Sequence, residues 1–302
     1  MAPLAMTAKP SVSERMQKIK RLLWIILFLN LAVAAAKYIY GTISGSAAMQ
    51  ADGIHSVFDS AGNVIGLIGI ALASRPADES HPYGHAKFET YASLAIGILL
   101  LFAAFEVGSS AVGKLISQNY TADVTPISFV VMIATLCVNL GVTTYERRQG
   151  KLLRSEVLTA DASHTFSDAL VSVGVIIGLV FVSFGFPAAD PIMALLVTVA
   201  ILATAYDVFK HGFATLSDHA RIPEEELHDF VMSIADVKDA HRIRTRGTEG
   251  EVYVDLHACV DEGMTVLAAH ELSERVELAI REKYPQVTEV LVHIEPNDGH
   301  RD

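Results

Sequence analysis

Two nine-residue strings in this chain share one pattern of ionisable side chains. Residues 51–59 read ADGIHSVFD and residues 160–168 read ADASHTFSD, both A-D-x-x-H-[S/T]-x-x-D, offset by 109 residues. Positions i and i+4 share a helix face, so His55 goes with Asp59 and His164 with Asp168. Two imidazoles and two carboxylates make a full tetrahedral shell for Zn²⁺, whose N and O ligands sit at about 2.0–2.2 Å. Asp52 and Asp161 lie on nearly the same face, one turn nearer the helix start. Such carboxylates can orient a histidine N–H, favour the helix dipole or accept protons, and the residues leave these roles open.

Further ligand types gather elsewhere. The segment ADESHPYGHAKFE carries Asp78, His81 and His85 as D-x-x-H-x-x-x-H, three potential ligands that leave a coordination position open. Towards the C-terminus, His241, His257 and His293 each fall in an expected strand, with Glu295 on the same face as His293, and His270 falls in an expected helix. Strand positions repeated in this way point to a second metal-binding region. Arg242, Arg244 and Arg246 alternate on the first strand and read as a solvated or edge-protecting stripe.

The elements that must position these groups follow from hydropathy. The chain has 302 residues, 51% of them hydrophobic, and residues 21–213 break into apolar stretches at 20–42, 46–73, 88–116, 125–146, 156–184 and 190–212. A bilayer core takes about 20 helical residues, so six transmembrane helices are expected. The two nonamers then lie in the second and fifth. Each buried ionisable group there costs about 2.5–3.5 kcal/mol or more, whereas polar contacts between membrane helices return about 0.6 kcal/mol on average. Mutual pairing alone does not offset that cost. Glu106 and Asn139 are further polar groups within the third and fourth stretches, and Glu106 is expected to pair with Lys37 or Lys114.

Charge divides the chain. Residues 214–302 hold 20 acidic and 9 basic side chains, which accounts for the whole net charge of −11. So acidic a segment argues against nucleic acid as partner and is compatible with attracting cations. Cys137 and Cys259 are too few for a disulfide framework and read as packed thiols. Lys and Arg concentrate in the N-terminal tail, at Lys87 and in ERRQGKLLRSE, and are missing from GTISGS, SQNYTADVTP and FGFPAAD. By the positive-inside bias both termini face the cytoplasm, in a multi-pass inner-membrane protein. The tail before the first span lacks a small-residue cleavage site and reads as retained. Three parts are therefore expected: a tail at 1–13, a six-helix transmembrane domain at 14–213, and a cytoplasmic α+β domain at 214–302. The last has the order α-β-β-α-β, a ferredoxin-like open-faced sandwich with helices on one face of a sheet.

In its doubled H-x-x-x-D, its D-x-x-H-x-x-x-H loop and its α-β-β-α-β tail, the chain resembles the cation diffusion facilitator family, and most of all its bacterial zinc and iron efflux members. The resemblance spans about residues 15–296. It implies a homodimer that exchanges cytoplasmic divalent metal for external protons by alternating access. Zn²⁺ is the expected transported and regulatory ion, with Cd²⁺, Co²⁺ and Fe²⁺ as further candidates. Carried over residue by residue, the transport site falls on His55, Asp59, His164 and Asp168, and the loop site on Asp78, His81 and His85. A cytoplasmic binuclear site falls on His241, His257, His270, His293 and Glu295. Lys87 and Asp218 match a charge pair near the membrane–cytoplasm junction that secures the dimer. Some relatives have Asp at the position of His55, and the extra imidazole here favours Zn²⁺, Co²⁺ or Cd²⁺ over the harder Mn²⁺. Glu295 also stands where some relatives have Asp. No H-E-x-x-H string of a zinc protease occurs, so an enzyme is not expected. The alternative is a membrane-anchored metal sensor or scaffold without transport.

Overall fold

Apolar runs free of internal proline fold here as long helices. The computed structural model describes residues 12–44, 60–118, 126–184, 186 and 188–297. Asp52, His55 and Asp59 lie outside the described residues. The chain divides into two units, Ser11–Gly212 and, apart from the N-terminal residues, Phe213–Asp302.

Among the described residues the first unit is built on α1 (Val12–Ser44), α2 (Ala61–Ala73), α3 (Lys87–Ser117), α4 (Pro126–Leu153), α5 (Glu156–Ser183) and α6 (Ala189–Leu216). Three stretches among the described residues, Glu14–Ala36, Lys87–Ser117 and Pro191–Leu216, are long and apolar enough to cross a membrane, and Ala61–Ala73 is apolar but shorter. Six spans were expected. The expected spans at 125–146 and 156–184 fall on α4 and α5, helices of 28 residues each. Exposed Phe28, Phe102, Phe105, Leu196 and Val199 give the bundle an apolar exterior of the kind a bilayer covers.

Inside, Ile19, Leu23, Ile70, Ile96, Val157 and Leu158 form one buried cluster, and Leu100, Val197, Ile201 and Ala205 another. Small residues set the closest crossings, as membrane helices require. A Cβ at Gly69 in α2 would collide with that of Ala92 in α3. The α4–α5 connection is tighter than its sequence suggests. ERRQGKLL contains no proline and continues α4 to Leu153, so only Arg154, at φ 48°, and Ser155 intervene. Ser155 Oγ then accepts from Leu158 N at 3.3 Å and caps α5.

The second unit runs α7 (Glu224–Met232), β1 (Asp239–Gly247), β2 (Val252–Val260), α8 (Val266–Lys283) and β3 (Val287–Pro296). The sheet order is β1-β2-β3, with β1 antiparallel and β3 parallel to β2. The parallel pair needs a crossover, which α8 supplies. Its N-cap Thr265 accepts from Ala268 N, and Leu272, Val276 and Ile280 recur every fourth residue on the buried face. They pack with Leu227 and Val231 of α7 and with Val254, Leu256, Ala258 and Val290 of the sheet. Gly247 has φ 115°, and a Cβ there would collide with the Glu251 carbonyl across the β1–β2 turn, so this turn needs glycine.

The arginine stripe of β1 is not a regular alternation. The register shifts between His241 and Arg244, and Arg242 sits at φ 50° inside this bulge. The extra residue turns Ile243 and Thr245 inward, where both are buried. An unbroken strand would place them on the face of His241.

Candidate metal centres

Among the described residues ligand-type side chains gather on α5, on the loop after α2 and on the sheet. On α5, Asp161 and His164 are buried and Asp168 is half-buried. Among the described residues neither ring nitrogen of His164 has a hydrogen-bond partner. A buried imidazole with two idle nitrogens is costly, and metal ligation is one way to use it. α2 meets α5 through glycine: a Cβ at Gly62 would stand 3.1 Å from Asp161 Oδ1 and 3.6 Å from His164 Cδ2, and one at Gly66 3.2 Å from Val157 Cγ2. The two helices therefore run antiparallel, with Gly62 leaving room for the polar groups.

Asp161 is held through a relay of two amides. Asn63 Nδ2 donates to its Oδ2, and Asn30 Nδ2 donates to Asn63 Oδ1 at 2.9 Å. Glu146 of α4 is fully buried beside Asp161. Thr165 Oγ1 donates to Glu146 Oε2 at 3.4 Å, and Glu146 Oε1 has no partner among the described residues. Of the roles open to Asp161, the contacts favour orienting the site through α1, α2 and α4.

The loop group is assembled as its spacing suggests. Asp78, His81 and His85 each offer one ligand atom, all within 4.8 Å of one another. His81 Nδ1 lies 3.3 Å from Asp78 Oδ1 and His85 Nε2 lies 3.4 Å from Asp78 Oδ2. His85 is buried, and its Nδ1–H donates to the Pro76 carbonyl at 3.1 Å. That bond fixes the tautomer and leaves the Nε2 lone pair for a metal. The Ser80 hydroxyl and the His81 backbone N–H hold Asp78 ionised down to about pKa 2.

On the sheet, His241, His257 and Glu295 each offer one ligand atom within 4.8 Å of the others. His257 Nδ1 is 2.7 Å from Glu295 Oε1, and His293 Nε2 is 3.4 Å from the same oxygen. His241 Nε2 is 3.3 Å from Glu295 Oε2, yet is buried without a hydrogen bond. These donors fit a divalent cation by type and spacing. His270 departs from the expected set: it is exposed on α8 and pairs with Glu274 at 3.4 Å, because the apolar face of α8 covers the opposite side of the sheet.

Other expectations fare unevenly. Glu106 is exposed on α3 instead of buried, and Asn139 is half-buried. Lys87 opens α3 and is exposed; Asp218, also exposed, follows α6 at φ 55° in the other unit. Arg15 precedes the first apolar stretch. It is buried against Glu89 at 3.0 Å, and it also donates to the carbonyls of Leu153 and Arg154. Glu146, Glu89, Asn63 and Asn30 were missed altogether. For Asn63 the signal was present, since an amide eight residues after His55 continues the polar face of that helix.

Buried ligand-type residues in apolar helices, joined to a small sheet with a second ligand cluster, define a membrane protein that handles metal ions. Residues 23–217 match the cation efflux transmembrane domain and residues 221–297 the cation efflux protein cytoplasmic domain. The chain belongs to the cation diffusion facilitator family, whose members are divalent cation efflux transporters. An uncharacterized transporter of Methanocaldococcus jannaschii is 32% identical over 284 residues, covering 93% of this chain and 99% of that one. The manganese efflux system protein MneS of Bacillus subtilis is 30% identical over 268 residues, covering 88% and 91%. The cation-efflux pump FieF of Serratia proteamaculans is 30% identical over 256 residues, covering 84% of each chain.

Proposed function

We propose that this protein exports Zn²⁺ from the cytoplasm in exchange for protons, as a homodimer that alternates between inward- and outward-facing states. His55, Asp59, His164 and Asp168 are its transport ligands in a six-span, inner-membrane bundle with both termini in the cytoplasm. The observation that carries this reading is His164, buried in α5 with both ring nitrogens idle among the described residues. Asp59 precedes the Gly62 contact by three residues and Asp168 follows His164 by four, so the two halves of the set flank one helix crossing in sequence.

Ligand chemistry couples metal to protons. Metal binding needs neutral imidazole and ionised carboxylate, so protonation and occupancy compete at one site. Histidine as a residue type titrates close to physiological pH. Facing the cytoplasm the site loads metal and releases protons; facing outward, incoming protons displace the ion. The loop set of Asp78, His81 and His85 binds metal at the bundle end. The sheet set of His241, His257, His293 and Glu295 senses cytoplasmic metal and tightens the dimer. His270 joins that set only from a second copy.

Two imidazoles beside two carboxylates favour Zn²⁺, Cd²⁺ or Co²⁺, with Fe²⁺ next, over Mn²⁺. The relative named for manganese efflux makes this preference worth testing directly. Flux of each ion into proteoliposomes with an imposed pH gradient tests both claims. Zn²⁺ flux that rises with the gradient and exceeds Mn²⁺ flux is expected. Flux indifferent to the gradient overturns antiport, and a dominant Mn²⁺ flux overturns the metal assignment.

A further inference from the structure

Six side chains with metal-ligating chemistry stand in two adjacent rows across the sheet. The ladders set Asp239 opposite Cys259 and Cys259 beside Glu295, and set His241 opposite His257 and His257 beside His293. The strand period of two puts both rows on one face. The bulge at Arg242 begins just after His241, so it leaves these pairings intact. The row of histidines belongs to the sensing set described above. In the other row Glu295 belongs to it too, whereas Asp239 and Cys259 do not, and Cys259 reads from sequence as no more than a packed thiol.

His241 connects the two rows. Its Nδ1 lies 3.8 Å from Cys259 Sγ and its Nε2 lies 3.3 Å from Glu295 Oε2. The carboxylate stands on the Nε2 side of the ring without a hydrogen bond to it, and Nδ1 is the nitrogen that faces the thiol. Asp239, His241 and Cys259 each offer one ligand atom, all within 4.8 Å of one another, with Cys259 buried and the other two half-buried. A tetrahedral Zn²⁺ with bonds of about 2.3 Å to sulfur and about 2.0 Å to nitrogen separates those atoms by about 3.6 Å. The observed spacing needs little adjustment to reach it.

We propose that Asp239, His241 and Cys259 form a thiolate-containing metal position, next to the position held by His257, His293 and Glu295. On binding, Cys259 gives its proton to solvent and ligates as thiolate, His241 ligates as neutral imidazole and Asp239 as carboxylate. The fourth position stays open to water. A soft sulfur ligand makes this position selective for Zn²⁺ or Cd²⁺ and poor for Mn²⁺. Glu295 acts on it through His241 as a positioning residue. The inference rests on reading the sheet face as metal-binding, and it is independent of transport.

Titration of Co²⁺ into the full-length protein in detergent micelles tests it. Cys137 and Cys259 are the two cysteines. A sulfur-to-cobalt charge-transfer band in the near ultraviolet is expected, retained in Cys137→Ser and lost in Cys259→Ser. Asp239→Asn should keep the band and weaken cobalt binding about 10- to 100-fold. The wild-type spectrum decides even where Cys259→Ser fails to fold. Visible cobalt bands that respond to His257→Ala, with no sulfur band at saturation, overturn the thiolate position and leave the sheet-face reading standing. A sulfur band that survives Cys259→Ser overturns the thiolate position as well. Bands that respond to neither sheet variant overturn both.

Discussion

The side-chain amide of Asn63 in α2 donates to the Asp161 carboxyl in α5, one turn before His164. Asn30 in α1 supports Asn63 in turn at 2.9 Å. Three helices thus converge on a residue that does not itself need to touch the metal. Removing an orienting partner of a ligand set usually costs 10- to 100-fold in metal affinity. Asn63→Ala should therefore weaken Zn²⁺ binding at the transport site by about 10- to 100-fold, measured calorimetrically on protein whose loop and sheet sets are disabled by His85→Ala, His257→Ala and Cys259→Ser. Affinity equal to that of this parent removes Asn63 from the site.

Arg15 and Glu89 form a buried ion pair that joins α1 and α3 to the α4–α5 turn, where Ser155 Oγ donates to Glu89 Oε1. Breaking one partner of a buried pair costs about 3–5 kcal/mol, because the other charge is left without compensation. Glu89→Ala should lower the thermal inactivation temperature of the detergent-solubilised protein well below that of Glu106→Ala, an exposed control. Arg15→Met combined with Glu89→Leu should recover much of the loss. Equal stability of the two single variants contradicts this account of the pair.

What the sequence conveys differs between these two networks. His164 and Asp168 stand out because a doubled i, i+4 motif in an apolar run has no routine explanation. Glu146 and Arg15 do not, since each belongs to a charged string that reads as solvated loop or tail. Only tertiary packing shows that α4 continues through ERRQGKLL and buries Glu146 against Asp161. In the second unit the α-β-β-α-β order follows from periodicity, yet the bulge at Arg242 comes from pairing between strands and leaves no local signature. His270 shows the opposite failure. It carries ligand chemistry, but its helix packs by Leu272, Val276 and Ile280 against the far side of the sheet.

Tyr284 links the second unit to alkaline pH. Burial, followed by its hydrogen bond to Glu226 Oε1 at 2.9 Å, raises the phenol from 10.0 to about 12. A group whose folded pKa is raised contributes stability that is fully present below its unfolded value, and loses it as pH rises through the folded one. The stability of this unit should therefore hold below pH 10 and fall between about pH 10 and 12. Tyr284→Phe should flatten that part of the profile, followed by circular dichroism melts of the full chain. An alkaline slope identical in the two proteins contradicts the assignment.

Metal on the sheet should act as a stabilising ligand. A ligand that binds only the folded state adds about 2.7 kcal/mol at a free concentration 100 times its Kd. Zn²⁺ at that excess should raise the unfolding temperature of the second unit, chelation should reverse the rise, and His257→Ala combined with Cys259→Ser should abolish it. A rise that persists in this double variant shows that the metal sits elsewhere.

The account depends most on His164 as a transport ligand. Zn²⁺ entry into proteoliposomes containing an internal zinc dye, driven by a pH gradient, measures this directly for wild type and His164→Ala. The account predicts that His164→Ala reconstitutes normally, keeps the Zn²⁺-dependent rise in unfolding temperature of the second unit, and shows flux no greater than protein-free vesicles. Wild-type flux through His164→Ala would contradict it.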